Sequence, residues 1–511
     1  MDFLLFILIS ILSISLLLSL FTFNSQMSAN DIINNMGIGW NLGNAFDTFN
    51  ESKKLENPDD QILSSNNIPP TKDMIKLIKK AGFKTIRFPV TWMNYMDDNG
   101  NVNSKWMSRV KEVVNWIIDS NMYCILNVHH DGGSGNWLSE GLTAKDKYIY
   151  LWNQIATEFK IYDEHLIFES MNQFDFEDNY ENNTIFILSQ AFVDTIRNSE
   201  GYNKVRLLLI SDAQADLELI CSPDYKMPID PINKIAISIH YYAPTQFTLE
   251  RDDNPWTWVD DVGIIHEVKP MTTWGIESDY NDMISNFETI KKFFIDKGIP
   301  VVLSEVSVLT EQKKEIESIR EYLFALFSLS SDYGIVSCLW DTSNNITAEF
   351  NFYDRKSNKW YDEIIKNNFK KISRGKQIRP KDYYIISNLK TVKNADPDGH
   401  FNINFGKKKI VKIIFNAFIN TKDLYSAGFG IVSSDKNGNW VGESISASSG
   451  KRQYDGSYTF SIDASKKDFN TYLQLQKWWG HDNIDVNYLS LELDENDVSL
   501  DYVSYKKDLL I

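Results

Sequence analysis

From about residue 36 to 370, short apolar runs alternate with longer stretches of helical periodicity. The runs are GIGWNLGN (37–44), TIRFPV (85–90), CILNVHH (124–130), HLIFESMNQ (165–173), VRLLLI (205–210), IAISIHYY (235–242), VVLSEV (301–306) and SCLWD (337–341). Their length and their β-branched and aromatic content predict buried strands. Between them, TKDMIKLIKKAGF (71–83), WMSRVKEVVNWIIDSN (106–121) and YNDMISNFETIKKFFIDKG (280–298) predict amphipathic helices, the last closed by Gly298 and Pro300. Eight strands, mostly followed by helices, predict a (β/α)8 TIM barrel. A doubly wound open sheet would gather its polar residues at one switch point. Here they stand at the C-terminal end of nearly every run: Asn44, Arg87, His129 and His130, Asn172 and Gln173, His240 and Tyr242, Glu305, then Trp340 and Asp341. Repeated at the same end of successive strands, they predict a ring of side chains around a barrel mouth.

Past KKISRGKQIRP (370–380) the pattern changes to alternation without helical periods, punctuated by Asp396-Pro397, Asp398-Gly399, Asn437-Gly438 and Asp455-Gly456. A smaller all-β sandwich is expected over 381–511, after a barrel over 30–372. Trp478 and Trp479 are adjacent on a strand-like run and should face opposite ways, so one of them, with Trp440 or a tyrosine nearby, is a candidate sugar platform. Burial of both in a sandwich core is the competing expectation. Residues 1–29 form a third segment. Its apolar run from Phe3 is long enough to cross a bilayer, yet it carries Asp2 and no lysine or arginine ahead of the run. An export signal is expected, with an uncleaved membrane anchor as the alternative, and either one exports the rest of the chain. Asn50, Asn182 and Asn345 begin N-x-S/T sequons that fit this route.

Composition narrows the partners. A net charge of −17 argues against nucleic acid and anionic membrane surfaces. Neutral polysaccharide remains, and fourteen tryptophans suit it, because indoles stack on the C–H faces of sugar rings. Cys124, Cys221 and Cys338 are too few and too far apart for a disulfide framework, and with no CxxC pattern no structural zinc site is expected. Cys124 and Cys338 fall in strand-like runs and should be buried thiols.

GIGWNLGN, GFKTIRFPVTW, ILNVHHD, HLIFESMN, ISIHYYAP, LSEVSV and CLWDTS follow one another in an order that resembles glycoside hydrolase family 5, and most closely its endo-β-1,4-glucanases (cellulases). The resemblance covers roughly residues 30–370, and the tail resembles more loosely the β-sandwich modules appended to such enzymes. It implies retaining hydrolysis of β-glucan by two carboxylates about 5–5.5 Å apart. Glu305 matches the nucleophile, Arg87 the arginine that keeps it ionised, Tyr242 the tyrosine that contacts it and His240 a histidine near the acid/base. Asn172 matches the asparagine that bonds the 2-hydroxyl of the reacting sugar. His129 and His130 match polar subsite residues, Trp340 the platform under the sugar, and Asn44 joins them at the mouth. The resemblance supplies a metal-free role for His129, His130, His240 and Glu305, so neither a catalytic metal nor a cofactor is expected, and a monomer is. The long aromatic stretch 253–275 is expected to line the cleft after the sixth strand. Trp256, Trp258 and Trp274 are candidate subsite contacts there, with loop packing the competing account.

One position departs from the family pattern. The fourth strand should end Asn-Glu, and here it ends in Asn172 and Gln173. Glutamine keeps the shape of the general acid/base and donates hydrogen bonds, yet it neither supplies a proton nor accepts one from water. The contribution at stake is about 10²–10⁴-fold. Three readings stay open: an impaired glycosidase that cleaves β-glucan slowly or only where the leaving group is good, replacement of the lost carboxylate by Asp175 or Glu177, and a non-catalytic glucan-binding protein. Glu169 lies deeper in the strand and is not a replacement.

Overall fold

The structure is a computed structural model. It describes residues 27–375 apart from 50–53, 65–66, 134, 174–182, 212–216, 223–224, 252–256, 260–264, 268–269, 276, 311–313 and 344–349, and beyond 375 nine strands with few adjoining residues. The N-terminal apolar run, the three sequons, Asp175, Glu177 and Trp256 lie outside the described residues, as do the side chains of Trp258, Trp440, Trp478 and Trp479. Among the described residues no helix is long and apolar enough to cross a membrane.

The strands are β1 (Gly39–Leu42), β2 (Thr85–Phe88), β3 (Tyr123–Asn127), β4 (Leu166–Glu169), β5 (Leu208–Ile210), β6 (Ile235–Tyr241), β7 (Val301–Val306) and β8 (Val336–Asp341). They pair in parallel, each with its sequence neighbours, and β8 closes on β1 to complete the barrel. The crossovers carry α2 (Lys72–Lys80), α3 (Ser104–Asp119), α4 (Lys145–Glu158), α5 (Thr184–Asn198), the single-turn α6 (Leu217–Ile220), α7 (Glu277–Phe293) and α8 (Ile316–Asp332), and α9 (Glu363–Ile372) follows β8. Side chains that cap helix N-termini are written into the sequence: Thr71 accepts from the Met74 amide, and Asp362 from those of Ile364 and Ile365.

Period-two alternation decides which residues meet. Cys124, Leu126, Leu166, Phe168, Ile237, Ile239, Val301 and Leu303 point outward and pack with the helices. Their alternates Ile125, Ile167, Leu209, Ala236, Val302 and Val336 point inward and fill the N-terminal half of the barrel. That half is closed by α1 (Ala29–Met36), whose Ala29, Ile32, Ile33 and Met36 join the inward cluster. Burial of Ile32, Ile33 and Met36 stabilises by about 1.5–3 kcal/mol each. A capping box starts the helix: the Ser28 hydroxyl accepts from the Asp31 amide, and the Asp31 carboxylate accepts from the Ser28 amide. The barrel is narrow at this level, since a Cβ on Gly39 would stand 2.3 Å from Cys338 Sγ. All three cysteines are free and buried.

Between β6 and α7 an antiparallel hairpin pairs Thr257–Val259 with Ile265–Glu267. Trp274, offered as a cleft contact, is instead buried, packed on Tyr280 and edge-on to Tyr322 of α8. The loop packs its indole against the helical layer, so loop packing accounts for it.

Past residue 382 the strands are β9 (Tyr383–Ser387), β10 (His400–Phe401), β11 (Ile410–Ile419), β12 (Gly428–Ser434), β13 (Trp440–Ser446), β14 (Lys451–Arg452), β15 (Tyr458–Asp463), β16 (Tyr472–Trp479) and β17 (Ile484–Leu493). They form two antiparallel sheets, ordered β9-β17-β11-β15-β14 and β10-β16-β12-β13.

Candidate active site

Two residues further along the inward faces, the barrel interior turns polar. Asn41, Arg87, Asn127, Glu169 and Ser238 continue the inward parity of Gly39, Thr85, Ile125, Ile167 and Ala236, and all five are fully buried. Arg87 is the hub. Its Nε donates to Glu169 Oε2 at 2.7 Å, its Nη1 to Glu305 Oε1 at 2.7 Å and Asn41 Oδ1 at 3.0 Å, and its Nη2 to Asn172 Oδ1 at 2.8 Å. Burial alone would lower the guanidinium pKa, but the Glu169 and Glu305 carboxylates outweigh it and hold the charge on. Glu169 also accepts from Ser238 Oγ at 2.5 Å and Asn127 Nδ2 at 3.0 Å, so both its oxygens are engaged below the mouth.

Glu305 reaches this hub through an irregularity. By parity Val302 and Ser304 face inward and Glu305 should face the helices. The register of β7 shifts by one residue against both neighbours: Leu303 pairs with Ile239 and Glu305 with His240, while Leu303 and Val306 oppose Ser337 and Leu339. This is a β-bulge, and it turns two consecutive side chains inward. Ser304 is buried, its hydroxyl 2.7 Å from that of Ser238, whose proton goes to Glu169, and its carbonyl accepts from Asn41 Nδ2 at 2.8 Å. Glu305 stands above it, with Oε2 accepting from the Tyr242 hydroxyl at 3.2 Å and Oε1 lying 3.5 Å from His240 Nε2.

The electrostatics follow from burial around one fixed cation. Burial, and then the charges of His130, Arg87 and His240, keep His129 far below the ordinary histidine value. Burial and Arg87 push His240 down to about 3, so its ring is neutral, and its buried Nδ1 has no hydrogen-bond partner. Burial and the Glu305 charge hold Tyr242 well above the usual phenol range, so it stays a donor. Asn127 Oδ1 accepts from the Val90 amide, which leaves its Nδ2 facing His129 Nδ1 at 3.2 Å. The His129 proton therefore sits on Nε2. His130 has the opposite tautomer, its Nδ1–H donating to the Asp47 carbonyl at 2.8 Å. One ring offers a donor and the other an acceptor, a pairing that suits sugar hydroxyls.

Asp47, His129 and His130 have ligand atoms within 4.8 Å of one another, as do Asp163, Glu164 and His165 elsewhere. In the first group the Asp47 oxygens accept the Ala45 and Asn44 amides and the His129 proton occupies Nε2, which suits sugar contact better than metal ligation.

Trp340 is buried except for 8% of its surface, and its ring lies parallel to His129 with centroids 5.7 Å apart. A Cβ on Gly43 would stand 2.9 Å from the Asp341 carbonyl oxygen and 3.1 Å from that indole, so glycine lets the chain leaving β1 pass beneath it. Behind it Asp341 accepts from Trp40 Nε1 and the Ser343 and Phe352 amides, and burial pushes its carboxyl up to about 7. Asn44, half-buried in a left-handed turn, accepts through its carbonyl from Asn67.

The structure thus gathers Arg87, His129, Asn172, His240, Tyr242, Glu305 and Trp340 around one mouth, with Asn44 and His130 at its edge. Gln173 is exposed at the end of the strand-four run, beside buried Asn172. Glu169, Asn41, Asn127, Ser238 and Ser304 escaped the sequence reading as supports of this site, and counting two residues back from Gly43, His129 and His240 would have found Asn41, Asn127 and Ser238.

Residues 45–346 match the family model described as Cellulase (glycosyl hydrolase family 5). Endoglucanase A of Paenibacillus barcinonensis is 33% identical over 361 residues, 65% of this chain and 87% of that protein. The solved GH5-4 broad specificity endoglucanase from an uncultured bovine rumen ciliate is 57% identical with a TM-score of 0.66, over 68% of this chain and 99% of its own. A family 5 lichenase from Caldicellulosiruptor sp. F32, solved as a glutamate-to-glutamine mutant in complex with cellotetraose, is 29% identical with a TM-score of 0.60, over 68% of this chain and 96% of its own.

Proposed function

Because the chain belongs to glycoside hydrolase family 5, we propose that it cleaves β-1,4-linked glucan with retention of configuration, Glu305 acting as the nucleophile. The observation that carries this reading is Glu305 itself, held at the barrel mouth by Arg87 and Tyr242. Arg87 holds the carboxylate in place for attack on the anomeric carbon and stabilises its charge when the ester is released. Asn172, whose Oδ1 is taken by Arg87, offers Nδ2 to the 2-hydroxyl. Trp340 underlies the ring at the cleavage point, and His129, His130 and Asn44 bond flanking hydroxyls.

Gln173 occupies the acid/base position and lowers turnover of polysaccharide, where the leaving sugar needs a proton. A lichenase mutant that carries a glutamine in place of a glutamate is found with cellotetraose, which supports glucan binding by a relative of this barrel. Gln173 also favours the second reading, a β-glucan-binding protein without turnover. The remainder of the proposal is architectural: the 1–29 segment exports the chain or anchors it, the barrel spans 30–372, and the sheets beyond 381 pack as a carbohydrate-binding sandwich with Trp478 a contact. Burial of Val432 from one sheet and Ile413 and Phe460 from the other supports that packing.

The test compares the wild type with Gln173→Glu on soluble β-glucan and on an aryl cellobioside with a good leaving group. The wild type should cleave the aryl substrate, and the substitution should raise polysaccharide turnover by about 10²–10⁴-fold. Equal, fast polysaccharide cleavage by both would mean that Asp175 or Glu177 has taken the role. Binding by both without cleavage would select the second reading.

A further inference from the structure

The ladder between β1 and β8 ends at the pair Leu42 and Asp341. Past that pair, side chains stitch the two exits together. Buried Asn67 donates through Nδ2 to the Asn44 carbonyl at 2.6 Å and to the Thr342 carbonyl at 2.9 Å. Arg355, 5% exposed, follows a two-residue strand in which Tyr353 and Asp354 pair with Trp360 and Lys359. Its amide donates to Ser343 Oγ at 2.9 Å, and its Nη2 donates to the Gly43 carbonyl. Its backbone is thus tied to one exit and its guanidinium to the other.

As a device for stability alone, Arg355 is poorly made. Burial lowers its pKa to about 10, with Asp341 and then Asp47 opposing, so it is a cation at neutral pH. Among the described residues neither its Nε nor its Nη1 has a hydrogen-bond partner, and a buried charge so partly satisfied costs stability. What the residue does hold is position. The turn from Gly43 to Asp47 touches the mouth three times: Gly43 backs the Trp340 indole, Asn44 stands at the edge, and the Asp47 carbonyl accepts from the His130 ring at 2.8 Å.

Resting on the reading of the mouth as a glucan site, we propose that Arg355 and Asn67 are positioning residues for it. They clamp the turn after β1 to the end of β8 and so set the spacing of Asn44, His130 and Trp340 along a bound glucan chain. Each acts through the residues it holds. Because only Nη2 of Arg355 bonds the turn, a single charged donor is what the position requires, and lysine supplies one.

The test measures cellotetraose affinity by calorimetry on the full chain, with Glu305→Gln in every protein so that the ligand is not consumed, and records a thermal melt for each. Arg355→Met should weaken binding by about tenfold or more, and Asn67→Ala by about threefold. Arg355→Lys should stay within about threefold of the parent. Asn67→Ala removes no charge and keeps the inference testable should Arg355→Met fail to fold. Parent-like affinity in Asn67→Ala and in folded Arg355→Met, whatever their melts, overturns the inference and leaves the glucan reading standing. Arg355→Lys binding no better than Arg355→Met also overturns it, since a charged donor to Gly43 would then not be what sets the mouth. Absence of cellotetraose binding by the parent, together with absence of aryl cellobioside cleavage by the wild type, overturns the glucan reading and the inference together.

Discussion

At the N-terminal end of the barrel, Ile125, Ile167, Ala236 and Val302 close on Ile32, Ile33 and Met36 of α1. One inward step further along the same strands, Asn127, Glu169, Ser238 and Ser304 surround Arg87. The lower layer is cohesive because it is mainly apolar, with the Thr85 hydroxyl satisfied by the Met36 carbonyl, and any well-packed apolar set of that volume would serve most of it. The upper layer is specific because every hydrogen bond has a named partner, and a wrong partner there leaves a charge buried and unpaired. Short strands, β4 only four residues long, thus separate stability from chemistry within a few ångströms.

Substitutions can test how complete that separation is. Arg87→Met should damage both properties: Glu169 and Glu305 lose their cation, unfolding free energy should fall by about 3–5 kcal/mol and aryl cellobioside cleavage by about 10²-fold or more. Denaturant melts and initial rates measure the two. Ile32→Ala should act on one alone, lowering stability by about 2–5 kcal/mol while kcat/KM of the folded enzyme stays within about twofold of wild type. A larger change in rate would show that the apolar layer also tunes the mouth. The third effect concerns pH. Burial raises Asp341 in the folded state to about 7, above its unfolded value. Its stabilising contribution is therefore full below about pH 4 and is lost as pH rises through 7. Over that interval this group alone makes stability fall by on the order of 1.4 kcal/mol per pH unit. Asp341→Asn should flatten the slope in melts run between pH 4 and 7, whereas Ile32→Ala should leave the slope unchanged.

The strands were the most legible part, since apolar runs bounded by helical periods admit few arrangements, and VVLSEV is strand over its full length. HLIFESMNQ was read too long. The ladder stops at Glu169, and the chain then leaves the sheet, the Asn172 amide reaching the Val128 carbonyl. Most mouth residues were legible because they end apolar runs. The supporting layer was not, because Asn41 and Ser238 sit inside runs that read as ordinary strand. Trp274 misled for the opposite reason, since an aromatic in a long loop gives no sign of which side it packs on. Asp47 had no signal at all: its partners are the amides of its own turn, and the His130 ring above it comes from another strand.

The β7 bulge gives this site a vulnerability to length as well as to residue type. Gln173 announces itself to anyone comparing letters. A slip of one residue in the pairing of β7 would keep every letter in place, including Glu305, and still aim the carboxylate into the helical layer. Two chains with identical motifs could then differ wholly in competence, and the count of residues between the paired positions Leu303 and Val306 would be the one mark by which to tell them apart.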